Sequence, residues 1–146
     1  MSAQRIHFFS EDTDFRLRDK MKIRKWLLEA SKREGYRITG LCYIFCSDTY
    51  LLQINRNYLD HDTLTDIITF DNSESPAELA GDIYISIDRI RDNAVKYGVP
   101  EIEELLRVMI HGVLHLCGYS DKKKDDKVRM RIKEDMYIGL YKSMFA

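Results

Sequence analysis

The sequence has no long hydrophobic run. Its longest uninterrupted apolar stretch near the middle, Leu41 to Cys46, is six residues long, whereas a helix that crosses a bilayer needs roughly 18 or more. We therefore do not expect the chain to be a membrane protein. The N-terminal fifteen residues also lack the basic start and apolar stretch of a secretory leader, since Glu11, Asp12 and Asp14 lie where that stretch would be. A cytoplasmic location is the expectation.

An excess of charge of one sign is also missing. The chain has 23 Lys and Arg against 24 Asp and Glu, with a sequence pI near 6.4. Without an overall cationic field, any polyanion must be bound by local patches. This excludes histone-like coating of nucleic acid. The 45% hydrophobic content, combined with little net charge, also excludes a chain that is disordered throughout.

Cysteine is scarce, and the positions of the three cysteines do not indicate a disulfide framework. Cys42 and Cys46 are four residues apart in a strand-like run, which places them about 13 Å apart on one face, too far for a disulfide. Their spacing is also atypical of the cysteine pairs that bind zinc. We predict reduced, buried thiols at Cys42, Cys46 and Cys117.

The length of 146 residues predicts one domain, residues 1–146. Hydrophobic periodicity predicts strands at about 6–9, 37–46, 66–71 and 82–88 and helices at about 15–34, 47–58, 88–97, 100–117 and 122–144, with a loop at 60–65. The short link between the last two strands favours antiparallel pairing. The predicted fold class is α+β: a four-stranded mixed β-sheet packed with about five α-helices, and a metal site at the end of a buried helix.

Two histidines near the end of one predicted helix carry the chemistry. His111 and His115 are four residues apart, so their rings lie on one helix face, close enough to share a metal ion. Gly118 can reverse the chain and bring Asp121 back over the helix end, with Asp125 and Asp126 as competitors. Three such ligands leave a coordination position open for catalysis. The alternative is two ordinary histidines, one partly buried and one favoured by the helix dipole.

Gly112 separates this pattern from the zinc peptidases. Their His-Glu-x-x-His motif places a catalytic base at the position that Gly112 occupies here. Peptide hydrolysis by that mechanism is therefore disfavoured. A glycine also predicts a gap beside the metal through which a substrate backbone could approach.

The segment His111 to Asp121, HGVLHLCGYSD, resembles the signature of the YbeY family of bacterial endoribonucleases. Asn55, Tyr58 and residues 65–70 resemble a second block of that family, and residues 81–83 a third. The resemblance implies a cytoplasmic, metal-dependent, single-strand-specific endoribonuclease of late 16S rRNA 3′-end maturation and ribosome quality control. It implies small-subunit ribosomal RNA and the ribosome or its assembly factors as partners. Zinc is the expected ion, and nickel or manganese fits the same ligands.

Two positions depart from the family pattern. Asp121 stands where the family has its third metal-binding histidine, and a carboxylate is an accepted zinc ligand. Leu59 stands where the family usually has an arginine, so Arg56 or another basic residue would have to hold the phosphate. The predicted catalytic and metal-binding residues are His111, His115 and Asp121. The predicted substrate-binding residues are Arg56, Thr65, Asp66 and Thr69, on or near a strand that borders a cleft.

The residues leave several alternatives open. Water and the ribose 2′-hydroxyl are both candidate nucleophiles. The two departures also favour a second hypothesis, a non-catalytic RNA-binding or ribosome-assembly module that keeps the metal, while a metallohydrolase of another substrate is a third. Basic residues at 16–25 and 122–133 are either solvated faces or contacts to RNA phosphates.

Overall fold

The structure is a computed structural model that describes residues 5–59 and 65–146. Within these ranges the elements are β1 (Ile6–Ser10), α1 (Lys20–Arg33), β2 (Arg37–Cys46), α2 (Asp48–Leu59), β3 (Ile67–Asp71), β4 (Glu78–Ser86), α3 (Ile87–Tyr97), α4 (Glu101–Leu116) and α5 (Lys124–Met144). The predicted α+β class, with four strands and five helices in the described residues, is confirmed. Residues 60–64 of the predicted loop lie outside the described ranges.

The four described strands form one mixed sheet in the order β1-β2-β4-β3. β1 and β4 both run parallel to β2, and β3 pairs antiparallel with β4, which confirms the predicted hairpin. β3 is an edge strand of this sheet. β4 begins at Glu78, earlier than the predicted 82, because these residues pair with the long strand β2 and Glu78 lies opposite Arg37.

The first helix is shorter than predicted. α1 begins at Lys20 rather than at Phe15, and Asp19, which precedes it, adopts a left-handed backbone with φ of 58°. Phe15 and Leu17 still pack against the core. The apolar residues that indicated a longer helix therefore belong to an irregular segment that reaches the same core.

The main core lies between one face of the sheet and α1, α4 and α5. Its fully buried members include Trp26, Ile83 and Val113. Trp26 donates its indole N–H to the Tyr137 carbonyl at 2.6 Å and Tyr43 donates its hydroxyl to the Met109 carbonyl at 2.9 Å. These bonds tie α1 to α5 and the sheet to α4, so α4 is held in the middle of the core.

A smaller cluster covers the opposite face of the sheet. Phe45 belongs to the main core and the next residue, Cys46, to the smaller cluster, because successive side chains of a strand point to opposite faces. Leu51 and Ile54 of α2 complete this cluster. α2 and α4 therefore lie on opposite sides of the sheet.

All three cysteines are free thiols, as predicted. Cys46 is buried, but Cys42 and Cys117 are only partly buried, so the prediction of full burial is wrong for these two. Burial raises the pKa of both Cys46 and Cys117 to about 12. Protonated thiols of this kind are poor nucleophiles and poor metal ligands.

The longest described helix, α5, is buried on one side only. Of the apolar positions that indicated this helix, Val128, Ile132 and Met136 are exposed, whereas Met130 and Tyr137 reach the core. None of the helices in the described ranges is both long enough and apolar enough to cross a membrane.

Candidate metal centre

The end of α4 is shaped by Gly118. Its backbone is left-handed, with φ of 99°, a conformation that glycine adopts without steric cost. Its N–H bonds to the His115 carbonyl at 2.9 Å, and the Tyr119 N–H bonds to the Leu114 carbonyl at 3.0 Å. This pattern is the Schellman termination of a helix. It folds the chain back over the last turn of α4, as predicted from the sequence.

The reversal brings Asp121 to the two histidines. Its Oδ2 atom lies 3.2 Å from His111 Nε2 and 3.4 Å from His115 Nε2, and the two imidazole ring centroids are 4.4 Å apart. The potential ligand atoms of these three side chains all lie within 4.8 Å of one another. Among the described residues, this group does not include Asp125 or Asp126.

The donor atoms have the spacing that one small cation requires. A tetrahedral ion with bonds of roughly 2.0–2.2 Å separates neighbouring ligand atoms by about 3.3–3.6 Å, close to the two distances measured to Asp121. Two imidazole nitrogens and one carboxylate oxygen suit zinc, and also nickel or manganese. The side chains of His111, His115 and Asp121 are 19%, 26% and 41% exposed. An ion or a substrate can therefore reach them from solvent.

Each histidine is oriented through its other ring nitrogen. His111 Nδ1 lies 2.6 Å from Glu134 Oε2, and His115 Nδ1 lies 2.9 Å from the Tyr119 carbonyl oxygen. When Nδ1–H donates to such an acceptor, the lone pair of Nε2 is available to a metal ion. Both rings therefore present Nε2 to Asp121, which argues against two ordinary histidines.

The site is electrostatically suited to a cation. Burial lowers the pKa of His111, but the hydrogen bond to Glu134 and the negative charges of Glu134, Asp121 and Asp66 raise it by more, so the net shift is upward. The same carboxylates that favour a proton on His111 also favour a metal ion bound at this position.

The gap predicted beside Gly112 is absent. Gly112 is buried, and a Cβ atom at this position would lie only 3.0 Å from Cδ1 of Ile67 and 3.0 Å from Cδ1 of Ile83. The expectation that a substrate backbone approaches here is wrong, because the sheet occupies the space. Gly112 instead lets α4 pack closely against β3 and β4.

Of the predicted substrate-binding residues, Asp66 lies beside the candidate metal centre. It lines one cavity together with His111, and burial raises the pKa of its carboxyl despite the nearby imidazole. Thr65 donates its hydroxyl to the Ile67 carbonyl at 3.2 Å. Thr69 is partly buried on the edge strand β3, opposite Ile83. The roles of all three remain predictions.

Arg56 is placed differently. It is exposed in the last turn of α2, the helix that packs on the sheet face opposite α4. Its role as a phosphate clamp also remains a prediction. The side chain of Leu59, where the family usually has an arginine, lies outside the described residues.

The sequence analysis missed Glu134. This carboxylate is buried and is shared between His111 and the Arg107 guanidinium, which lies 3.0 Å from its Oε1 atom. A signal was present, because Glu134 falls between Met130 and Ile138 at spacings of four residues, on the buried face of α5. A carboxylate at a core-facing helical position needs a partner.

Glu34 was missed as well, and it anchors the turn after α4. Its side chain, 7% exposed, accepts hydrogen bonds from Tyr119 at 2.7 Å, from Lys133 at 3.0 Å and from the Tyr137 hydroxyl. The backbone carbonyl of the same Tyr119 orients His115. Glu34 therefore supports the candidate metal centre through the turn that carries Asp121.

Glu34→Gln is expected to destabilise the protein at neutral pH by about 2 kcal/mol, as for the loss of hydrogen bonds to a charged group. Burial raises the pKa of Glu34, but its hydrogen bonds lower it by more, so the net shift is downward from 4.5. A lowered pKa stabilises the fold above the unfolded value, and this contribution is lost as pH falls through the folded value. The difference between wild type and variant, measured by urea unfolding from pH 7 to pH 3, should shrink below about 4.5.

Glu29→Gln is the matched control for this experiment. Glu29 lies in α1, the helix that Glu34 directly follows. It forms only an exposed pair with Arg33, and exposed pairs contribute little. The control should unfold like the wild type at every pH. An equal effect of both substitutions would contradict the anchoring role of Glu34.

Comparisons with known proteins show the family of this chain. The family model described as Endoribonuclease YbeY matches residues 5–142. The chain belongs to the endoribonuclease YbeY family. The resemblance seen in the motifs at residues 54–121 is thereby confirmed, and it extends over nearly the whole chain.

Curated YbeY relatives from several bacteria are similar to this chain over nearly their whole length. The chain is 54% identical to the endoribonuclease YbeY of Cytophaga hutchinsonii, covering 97% of this chain and 99% of that one. It is 50% identical to that of Flavobacterium psychrophilum, with 91% and 94% covered. A solution structure of a Thermotoga maritima protein matches with a TM-score of 0.65 and 25% identity over 96% of this chain and 93% of that one.

Proposed function

We propose that this chain is a metal-dependent endoribonuclease that cuts single-stranded RNA, with zinc held by His111, His115 and Asp121. The observation that carries the proposal is the convergence of three donor atoms at the spacing of one cation, in a chain of the YbeY family. All three side chains are partly exposed, so a phosphodiester can approach them from solvent.

The cation would polarise a phosphoryl oxygen and offset the charge that develops on the phosphate as it is cut. The protein's contribution is to keep the ligands in place. Glu134 and the Tyr119 carbonyl fix the two imidazole rings, and the turn at Gly118 fixes Asp121. Positioning of this kind means that the ligands need not rearrange during the reaction.

Because the net charge is close to zero, the attraction to RNA phosphates comes from local basic patches. Exposed Lys122, Lys123 and Lys124 follow directly after the ligand Asp121 and can draw RNA phosphates towards the metal centre. Arg24 of the first basic cluster has a structural task, because its Nε–H donates to the Ile6 carbonyl at 3.0 Å and its guanidinium lies over the Phe8 ring. We assign phosphate contact to the basic patch at the start of α5 in preference to Arg24.

The proposed substrate is small-subunit ribosomal RNA, cut during late maturation of the 16S rRNA 3′ end and in ribosome quality control in the cytoplasm. The ribosome or its assembly factors are the proposed partners. Arg56, Thr65, Asp66 and Thr69 are the proposed contacts to the RNA strand. Family membership and the edge position of β3 support this assignment.

Removing and restoring the metal tests the proposal. We expect a chelator to abolish cleavage of a single-stranded RNA that carries the 3′ end of the small-subunit RNA, and stoichiometric zinc to restore it. Parallel additions of nickel and manganese identify the preferred ion, and analysis of the product ends separates attack by water from attack by the 2′-hydroxyl. RNA binding by metal-loaded protein with no cleavage above a His111→Ala control would favour the non-catalytic module instead.

A further inference from the structure

A recess adjoins the candidate metal centre. It is a cavity of about 160 Å³ between α3, α4, α5 and the residue before β3. Its lining includes Asp66, Asn93, Tyr97, Glu104, Arg131 and the metal ligand His111. Most of these side chains have no role in the proposed cleavage reaction.

Glu104 is the notable member of this lining. It is only 5% exposed, and within the described ranges its carboxylate has no hydrogen bond or ion pair. Every fully enclosed side-chain oxygen or nitrogen of the described chain does have a hydrogen-bond partner, so the Glu104 oxygens are those that open into the cavity. These oxygens lie near the positive charges of Arg107 and Arg131 but accept no hydrogen bond from the described residues, so a ligand in the cavity that donates hydrogen bonds can satisfy them.

The rest of the lining limits what this ligand can be. Arg107 and Arg131 line the same cavity as the carboxylates, and their positive charges disfavour a second metal ion. Tyr97 is 57% exposed, and Lys96 Nζ lies over its ring at 5.4 Å from the centroid. The opposite ring face can stack on an unstacked base, as aromatic side chains of RNA-binding proteins do. The volume is about half of the ~300 Å³ at the small end of drug-sized pockets, so it suits a single flat ring system.

We propose that this cavity binds a guanine base of the RNA strand beside the bond that is cut, with Glu104 accepting hydrogen bonds from guanine N1–H and N2–H. The inference rests on the proposed function and adds a base preference to it. Guanine places two donors side by side on one edge, matching the two oxygens of a carboxylate. Adenine and cytosine place an acceptor nitrogen next to their amino group, and uracil places its single N–H between two carbonyls, so each would set an acceptor against Glu104.

The neighbouring side chains complement the remaining edge of guanine. Asn93 and Tyr97 are four residues apart on α3 and both line the cavity, so an amide and a ring face come from one side of that helix. The amide of Asn93 and the guanidinium of Arg131 carry donors for guanine O6 and N7. Since His111 lines the same cavity, a base held here has its phosphate near the metal centre.

Binding of mononucleotides tests the inference without requiring cleavage. Metal-loaded wild-type protein should bind guanosine 5′-monophosphate about tenfold or more tightly than adenosine 5′-monophosphate, as expected for one bidentate contact. Inosine 5′-monophosphate, which lacks the N2 amino group, should bind more weakly than the guanosine compound. Glu104→Gln should remove the guanine preference, because an amide presents only one acceptor.

Glu101→Gln is the matched control, since Glu101 is on the same helix but forms an exposed pair with Arg91. It should keep the wild-type preference. Tyr97→Ala is a second variant at an exposed position. It should weaken the binding of both nucleotides equally, because it removes the ring on which a base stacks. The comparison of guanosine and inosine compounds needs no variant, so the test stands even if Glu104→Gln does not fold.

Cleavage of short single strands that differ only at the base beside the cut separates this inference from the proposed function. A wild-type enzyme that cuts all strands equally, and binds the three nucleotides equally, overturns the guanine pocket but leaves the nuclease intact. Guanine-selective binding without any metal-dependent cleavage overturns the nuclease but keeps the pocket. A second metal ion per chain that disappears in Glu104→Gln would overturn the base pocket in favour of a cation site.

Discussion

His115→Ala is expected to abolish both stoichiometric metal binding and RNA cleavage. His115 supplies one of three donor atoms, and its Nε2 lies 3.4 Å from Asp121 Oδ2, so its removal leaves a single histidine and a partly exposed carboxylate. The loss of affinity should exceed the roughly 10–100-fold that follows from changing an outer partner of a ligand. Elemental analysis of the purified variant, beside a cleavage assay at equal protein concentration, measures both effects.

The fold itself should survive this substitution, because the His115 side chain lies partly exposed at the end of α4. His7→Ala is the matched control: His7 is exposed on β1, where it stacks on Phe9, and β1 is the edge strand at the other end of the sheet from β3. The control should keep one metal ion per chain and full cleavage. Metal and activity retained by His115→Ala would refute the assignment of the metal centre.

Glu134→Gln is expected to weaken metal binding by about 10–100-fold while leaving the three ligands in place. The Glu134 carboxylate accepts from His111 Nδ1 and raises the electron density at Nε2, whereas a neutral amide does this less well. Competition with a metal-binding dye measures the affinity. Thermal unfolding of the metal-free variant should also show a loss of stability, because the mostly buried Arg107 loses a charged partner.

Asp135→Asn separates the effect on metal affinity from the effect on Arg107 and stability. Asp135 is the other carboxylate on Arg107, at 2.8 Å, and is itself largely exposed. Its replacement disturbs Arg107 but leaves the contact between Glu134 and His111 unchanged. We expect near wild-type metal affinity for this control. An equal loss of affinity in both variants would mean that Glu134 acts through Arg107 and the packing of α5 rather than through the imidazole.

Both predictions follow from the central place of α4. Its inner face packs against the sheet, where Val113 and Leu114 are fully buried, and its C-terminal turn carries the two histidines. Ligands on such an element are positioned by the whole core. Small changes in helix packing should therefore reach the metal centre directly.

The sequence alone determined the features that depend on local geometry. A spacing of four residues on a helix brings His111 and His115 to one face, and Gly118 allows the reversal that follows, because both effects are set by backbone angles within a few residues. The mixed sheet and its hairpin were also predictable, since strand periodicity and short links are local properties. The family motifs agreed with this reading.

Only the tertiary structure decided which distant groups meet. It selected Asp121 over Asp125 and Asp126, brought Glu134 from α5 to His111, and filled the space beside Gly112 with side chains of β3 and β4. It also collected Asp66 and Glu104 around one cavity. These contacts join residues far apart in the chain, and the packing of whole elements against a shared core determines them, which no local spacing encodes.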